Sequence, residues 1–376
     1  MWKAAAGFAA LLACAPAFGG ALDAVESKQI TLHDFRLESG VVLPTVTICY
    51  ETYGQLAPNG RNAVLITHSF TSSQHAAGFY AEGGAPPGHR AGDIGWWDKV
   101  IGPGEAIDTD SFYVVSSNAL GSSFGSTSPV SLDPRTGKPY GPDFPAISVR
   151  DIVRAQKAVL DALGVRHLVA VVGASYGGFE AFEWAVDYPE LVDGVAPLFT
   201  APSSQTTDDA SQAMVAFLAQ DPNWNGGRYY DNGGVTATLA ELRVRMLKSY
   251  GAEGLFSERY PNPAARQAAI EASARAWARI FDANSLITLL NAHEHFDVRA
   301  ELGQIKRKVL YILSSTDRIF PAAIGPDVMA RLKAAGVDAR YVKVESEIGH
   351  LALDHQTEKW SGELQKFVQA LSAEKP

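Results

Sequence analysis

The chain has 376 residues, 47% hydrophobic and 19% charged, the balance of a globular protein with room for one large domain carrying an insertion, or for two domains. Its 41 acidic residues outnumber 32 basic ones, for a net charge of -9 at pH 7, which speaks against a surface for nucleic acid or anionic lipid. No block of like charges and no internal repeat stands out.

The chain opens like a targeting segment. Lys3 is followed by an apolar stretch, residues 4–13, the length of a signal core and too short to span a bilayer. Small residues suited to cleavage follow at Ala15-Pro16-Ala17 and Gly19-Gly20-Ala21. Residues 1–21 are therefore expected to be a signal peptide, the mature protein exported (periplasmic or secreted), with no transmembrane span. Leu11-Leu12-Ala13-Cys14 is a weaker match to a lipid-anchor box. Removal of this segment leaves Cys49 as the single cysteine, so no internal disulfide is expected. Cys49 lies in an alternating pattern and reads as a small core residue.

Strand patterns follow at residues 30–37 and 45–53, the second alternating as Val46-Thr47-Ile48-Cys49-Tyr50, which predicts an antiparallel ribbon at a sheet edge. Short apolar runs at 63–67 and 112–116 read as buried strands. The stretch rich in Gly and Pro at 81–98 is long for a loop in a compact domain and is expected to be functional. Residues 147–163 carry helical periodicity through Ile152, Val153, Ala155, Val159, Leu160 and Leu163, ended by Gly164. A strand at 168–172, a helix at 179–188 and a strand at 194–199 come next. Residues 201–298 hold few strand signals and several helical ones, which predicts an inserted helical cap. The rhythm resumes with a strand at 308–313, a helix at 323–335, a strand at 338–344 and a helix at 358–371. The fold class is thus α/β, a mostly parallel central sheet with helices on both faces. Its core is read as residues 22–200 and 299–376, interrupted by the cap.

The chemistry is carried by Gly173-Ala174-Ser175-Tyr176-Gly177-Gly178, set between the strand at 168–172 and a helix. Strand, G-x-S-x-G, helix is the context of a nucleophile elbow, in which glycines let the two backbones approach and the serine hydroxyl is lifted clear of the sheet. A serine hydroxyl needs a base, and the base needs an orienting group. Asp317 follows the strand at 308–313 and His350 follows the next strand, giving the chain order Ser, Asp, His. The oxyanion donors are expected to be the backbone N–H groups of Tyr176 and of Phe70, in the loop after the strand at 63–67. Each such donor is worth about 3 kcal/mol in the transition state. His68 and His75 lie near that loop and are expected to shape it. His355 is read as the start of the last helix. His293 and His295 flank Glu294 without a third ligand, so no metal is assigned, and no cofactor.

These residues resemble the homoserine O-acyltransferase (MetX-like) family over nearly all of the mature length. The matching words include Tyr50-Glu51-Thr52-Tyr53-Gly54, Gly95-Trp96-Trp97-Asp98, Asn118-Ala119-Leu120-Gly121, Val149-Arg150-Asp151, Glu183-Trp184-Ala185 and Phe281-Asp282-Ala283-Asn284-Ser285. The resemblance implies an α/β-hydrolase fold, a helical cap, a triad of Ser175, Asp317 and His350, and a homodimer built through the cap.

The chain departs from the family where amino-acid substrate is held. The family usually has Gly-Gly-Ser-Met-Gly-Gly at the elbow, where this chain has Ala174 and Tyr176. It usually has Asp directly after the catalytic His, where this chain has Leu351. An Arg often follows a cap Tyr in the family, but Gly251 follows Tyr250. The Arg before Phe-Asp-Ala-Asn is Ile280 here. A cation beside Leu351 would be desolvated without a partner. An exported enzyme also meets little acyl-CoA. The expected function is therefore hydrolysis of a small-molecule ester, with His68 and Leu351 in the substrate pocket. The alternative is an acyltransferase using acyl-CoA and an alcohol such as homoserine.

Overall fold

The computed structural model describes residue 22 and residues 24–373; the expected signal peptide lies outside the described residues. Eight strands form the main sheet: β1 (Lys28–Arg36), β2 (Val42–Tyr53), β3 (Ala63–Thr67), β4 (Tyr113–Ser117), β5 (Leu168–Ala174), β6 (Gly194–Leu198), β7 (Lys308–Ser314) and β8 (Ala339–Val344). Their spatial order is β1-β2-β4-β3-β5-β6-β7-β8. β2 runs antiparallel to both β1 and β4, and every other pairing is parallel.

Every residue of β3, β5 and β6 is buried, as continuous apolar runs require when helices cover both faces of a parallel sheet. Period-two alternation divides them between two cores. Leu65 and Val171 join α1 (Val149–Ala162) and α2 (Tyr176–Asp187) on one face. Val64, Ile66 and Val172 pack with Trp97, Trp360 and α10 (Ser361–Ala373) on the other. A capping box closes the N-terminus of α1, with Ser148 and Asp151 each bonded to the other's backbone N–H. α8 (Gly325–Ala334) covers β7 and β8.

Between β6 and β7 the chain forms α3 (Ala210–Leu218), α4 (Thr236–Tyr250), α5 (Ala252–Leu255), α6 (Pro263–Ala278) and α7 (Ala283–Glu294). This insertion has a small core of its own, Leu247, Ala252, Ile270 and Ala274. The loop at 81–98 is fastened to β2. His75 Nδ1 lies 3.1 Å from Glu51 Oε2 and its Nε2 lies 3.0 Å from the Asp93 carbonyl, and Tyr80 donates to Glu51 Oε1. Cys49 is buried and free, and burial pushes its thiol up.

Most boundaries shift by one to three residues, and two differences bear on the site. α2 begins at Tyr176, directly after Ser175, because the elbow enters the helix without a linker. His355 ends a separate short helix, α9 (Ala352–His355), and the last helix starts at Ser361.

Candidate active site

Ser175 sits at φ 54 and ψ -110, between the last residue of β5 and the first of α2. A non-glycine residue with positive φ is strained, and such strain concentrates at functional turns. The glycines around it are required sterically. A Cβ on Gly173 would lie 2.1 Å from the Gly177 carbonyl oxygen, and one on Gly177 would lie 2.1 Å from that of Thr67. One on Gly178 would meet the Thr200 side chain at 2.3 Å. The elbow is thus wedged between β5, α2 and the end of β3.

The three sequence-selected side chains converge. His350 Nε2 is 2.7 Å from Ser175 Oγ, and His350 Nδ1 is 2.6 Å from Asp317 Oδ2. Asp317 is fixed from behind, its Oδ1 accepting from the Ile319 and Phe320 N–H groups at 2.7 and 3.1 Å. That leaves Oδ2 for the imidazole and sets Nδ1–H as its donor. The loop bearing Asp317 is tied to the loop bearing His350. Thr316 Oγ1 donates to the Ser346 carbonyl (2.7 Å) and accepts from Gly349 N–H (3.1 Å). All three groups are buried, Ser175 at 7% exposure and Asp317 at 4%. Rings of Tyr250, Phe320 and Phe199 surround the imidazole with centroids 5.4, 5.9 and 6.2 Å away.

Phe70 and Tyr176 are neighbours, their rings stacked at 5.6 Å. The Tyr176 N–H opens α2 and has no acceptor within the helix. His68 is 1% exposed and its ring is spent on backbone. Nδ1 donates to the Ser69 carbonyl (2.8 Å) and Nε2 accepts from Ala119 N–H (3.0 Å). Burial pulls its pKa down to about 4, so it is a neutral brace between the Phe70 loop and the segment after β4. That use of both nitrogens takes it out of the surface substrate can reach. Leu351 is half-buried and touches both the sheet core and the small core of the insertion.

The insertion supplies groups that sequence reasoning missed. Arg243, on α4, donates from Nη1 to Thr71 Oγ1 (3.1 Å), next to Phe70. Its guanidinium lies 4.7 Å from the Trp277 ring centroid and 5.8 Å from that of Tyr250. Burial holds it below the usual arginine range, and its Nε is buried without a partner. No carboxylate among the described residues forms an ion pair with it, so it has charge to offer a ligand. In sequence, Arg243 is one of three basic residues on an ordinary helix; only its spacing of seven from Tyr250, two turns on the same face, could have singled it out. His293, on α7, stacks on Phe179 at 5.2 Å and meets Tyr176 edge-on at 5.3 Å. Burial lowers it to about 4.

The departures at Gly251 and Ile280 have different standing. Gly251 has φ +109, and a Cβ there would lie 2.3 Å from the Ile348 carbonyl oxygen, so the position excludes a side chain. Ile280 is 40% exposed and is no part of the wall around His350. Among the described residues no three His, Cys, Asp or Glu side chains form a cluster able to hold a metal, and no helix is long and apolar enough to cross a membrane.

Comparison with known proteins agrees with the architecture. The alpha/beta hydrolase fold family matches residues 92–356. Homoserine O-acetyltransferase of Solidesulfovibrio magneticus is 35% identical over 383 residues, covering 93% of this chain and 94% of that protein. The crystal structure of homoserine O-acetyltransferase from Bacillus anthracis matches with a TM-score of 0.84 at 27% identity, over 92% of this chain and 98% of the other. Esterase E22 matches with a TM-score of 0.83 at 30% identity, over 92% of this chain and 100% of the other. The chain is an enzyme, an esterase or an O-acyltransferase, and it belongs to the homoserine O-acyltransferase family of α/β-hydrolase-fold proteins.

Proposed function

We propose that the protein hydrolyses small-molecule carboxylic esters through an acyl-serine intermediate. The observation that carries this is the unbroken relay from Asp317 through His350 to Ser175, at 2.6 and 2.7 Å. Ser175 Oγ attacks the ester carbonyl while His350 Nε2 takes its proton. Asp317 stabilises the imidazolium, and the Phe70 and Tyr176 N–H groups hold the oxyanion. His350 returns the proton to the departing alcohol. It then takes a proton from water as that water attacks the acyl group, and gives it to Ser175 Oγ as the carboxylic acid departs. Each step moves only an acyl group and protons.

Water is favoured as acceptor by what stands beside His350. Leu351 adds no charge to hold an ammonium, and Gly251 carries no side chain to add one. Arg243 favours a second reading, transfer to an alcohol that carries a carboxylate, because a buried guanidinium without an ion-pair partner is matched by such an anion.

The proposal includes an exported enzyme, supported by the signal-like residues 1–21, and a homodimer through the inserted helices, by analogy with the family. A shortened mature chain outside the cytoplasm and a dimer mass by light scattering would test these. For the reaction, phenyl acetate hydrolysis and acetyl transfer from acetyl-CoA to homoserine are measured side by side. Hydrolysis that disappears in Ser175→Ala is the expected result. Hydrolysis surviving that substitution would refute the mechanism, and efficient transfer to homoserine would replace the esterase reading.

A further inference from the structure

Among the described residues four non-glycines have positive φ: Asp34, Ser175, Phe199 and Asn225. Asp and Asn tolerate that region, and Ser175 is the nucleophile of the elbow. Neither reason covers Phe199, at φ 52, because a bulky side chain makes the left-handed region costly. Such a conformation persists only where the surroundings enforce it, and Phe199 is fully buried.

The enforcement is visible on both sides of the residue. Ala174 and Leu198 are register partners on β5 and β6, so Ser175 and Phe199 are the next residues on adjacent strands. Both keep their N–H groups in the ladder. Ser175 N–H donates to the Leu198 carbonyl at 2.9 Å, and Phe199 N–H donates to the Ile312 carbonyl on β7 at 2.7 Å. Beyond Phe199 the chain turns away at once. The Tyr311 hydroxyl donates to the Thr200 carbonyl at 2.7 Å, and the Thr200 side chain fills the space beside Gly178. The Ser204 N–H then donates to the Phe296 carbonyl at 2.8 Å, and the Val298 N–H to the Pro202 carbonyl at 3.0 Å, which closes the root of the insertion.

The strain changes where the ring goes. Side chains alternate between the two faces along a strand. On β6, Val195 packs with α1 and α2, while Ala196 and Leu198 pack on the opposite face. Unbroken alternation would send residue 199 to the face of Val195. The positive φ breaks it, and Phe199 joins Leu198 in the same core as Ile348, Ala352 and Leu353, which flank His350 in sequence. There its ring stands 6.2 Å from the imidazole, edge-on at 74°. The Tyr250 and Phe320 rings lie nearer to parallel with the imidazole, at 45° and 35°.

We propose that Phe199 is a positioning residue for His350, held in a strained turn so that its ring braces the imidazole between Ser175 and Asp317. Tyr250 comes from the insertion and Phe320 from the loop after β7, whereas Phe199 is fixed to the sheet that also carries Ser175. It therefore ties the orientation of the base to the position of the nucleophile. Without the ring the imidazole has room to tilt toward β6, which lengthens its bonds to Ser175 Oγ and Asp317 Oδ2. The loss falls on proton transfer and leaves substrate binding alone. This rests on His350 serving Ser175 in the proposed reaction.

The test measures kcat and KM for phenyl acetate separately in the full-length protein. Phe199→Leu and Phe199→Met keep apolar bulk without the ring, and Phe199→Gly also releases the backbone strain. In each, kcat is expected to fall by about tenfold to a hundredfold while KM stays within about twofold, the cost of misplacing a catalytic group by up to about 1 Å. In a His350→Ala background the same substitutions should change the residual rate by less than about twofold, because residues that act as a unit are not additive. Leu310→Ala, in the same core but nearer the start of β7, is the control and should lose stability while keeping kcat. Three results would overturn the proposal: kcat within about twofold of wild type in the folded Phe199 variants, a rise in KM that matches the fall in kcat, or an equal fall in Leu310→Ala. Thermal melting identifies a variant that has not folded, and the remaining Phe199 substitutions then decide. Failure of the nucleophile reading is a separate outcome, seen as phenyl acetate turnover that persists in Ser175→Ala.

Discussion

Replacing Gly251 by alanine should both destabilise the protein and slow it, because this residue is where the insertion rests on the His350 loop. Gly251 ends α4 with φ +109, where an L residue pays about 1 kcal/mol of backbone strain. Its Cβ would also lie 2.3 Å from the Ile348 carbonyl oxygen, 2.7 Å from the Ile348 carbonyl carbon and 3.3 Å from the Gly349 nitrogen. These are backbone atoms and cannot rotate away. Relief requires the loop or the end of α4 to move, and forced overpacking of this kind costs about 1–3 kcal/mol. The sum is about 2–4 kcal/mol of stability. Gly349 gives no slack, since its own Cβ would stand 3.0 Å from the Tyr250 carbonyl oxygen. His350 is the next residue, so a shift near 1 Å would misplace its imidazole and cost on the order of 100-fold in rate. Urea unfolding followed by circular dichroism gives the first quantity and kcat/KM on phenyl acetate the second. Gly362→Ala is the control, since a Cβ there meets nothing and it lies within α10; it should be neutral or stabilise by up to about 1 kcal/mol. Stability within 0.5 kcal/mol of wild type together with full activity in Gly251→Ala would refute the reasoning, as the glycine would then be a convenience of the turn.

Asp317→Asn should lower kcat by about four orders of magnitude, because the amide's donor group would meet His350 Nδ1 and favour the wrong tautomer; a loss below tenfold would remove Asp317 from the relay. Arg243→Leu should reduce kcat/KM for carboxylate-bearing esters by about tenfold or more while sparing neutral ones, and equal losses on both would show that the guanidinium only packs the wall. Glu180 offers a test through stability alone. Burial pushes its carboxyl up to about 8, so between its unfolded value and 8 the folded state binds more protons than the unfolded one. Unfolding free energy contributed by this group then falls as pH rises through that window. Glu180→Gln removes the dependence, and its melting temperature should exceed that of wild type by more at pH 8 than at pH 5. An identical difference at both pH values would show that Glu180 is not held neutral.

The core strands were readable because they are buried on both faces. β3 and β5 have no polar side to confuse the pattern, whereas β2, second from the sheet edge, begins at Val42, three residues before the expected start at 45. The elbow was readable because a Cβ on Gly173, Gly177 or Gly178 would stand only 2.1–2.3 Å from neighbouring atoms, and no other residue type meets that demand. The start of α2 was not, since Tyr176-Gly177-Gly178 looks like a turn until Ser175 is seen to lead straight into it. Asp317 and His350 followed from chain order and from their places after β7 and β8. Arg243 escaped because inward and outward arginines look alike in sequence. Arg245, two residues on, lies over the Phe217 ring and reaches Glu241 on the exposed side of α4. His68 was placed in the pocket by proximity, and only the bonds at both ring nitrogens revealed it as a brace.

Hydrolysis and transfer share their first half in this site, and the proposed roles say where they part. Ser175, His350 and the oxyanion donors acylate the enzyme whatever alcohol leaves. The acyl group then waits for whichever hydroxyl first occupies the space against His350 Nε2. By microscopic reversibility the departing alcohol is itself a competent acceptor, and water competes only once that alcohol has gone. The residence of the alcohol therefore sets the partition. Leu351 and the Tyr250, Phe320 and Phe199 rings beside the imidazole offer it no charge. A charged hold is offered by Arg243 on α4, whose Nε is buried without a partner. A neutral alcohol gains nothing from that charge and departs, leaving the acyl-serine to water. An alcohol carrying a carboxylate is held by the guanidinium, and with such an alcohol the same catalytic relay moves toward transfer without any change at Ser175.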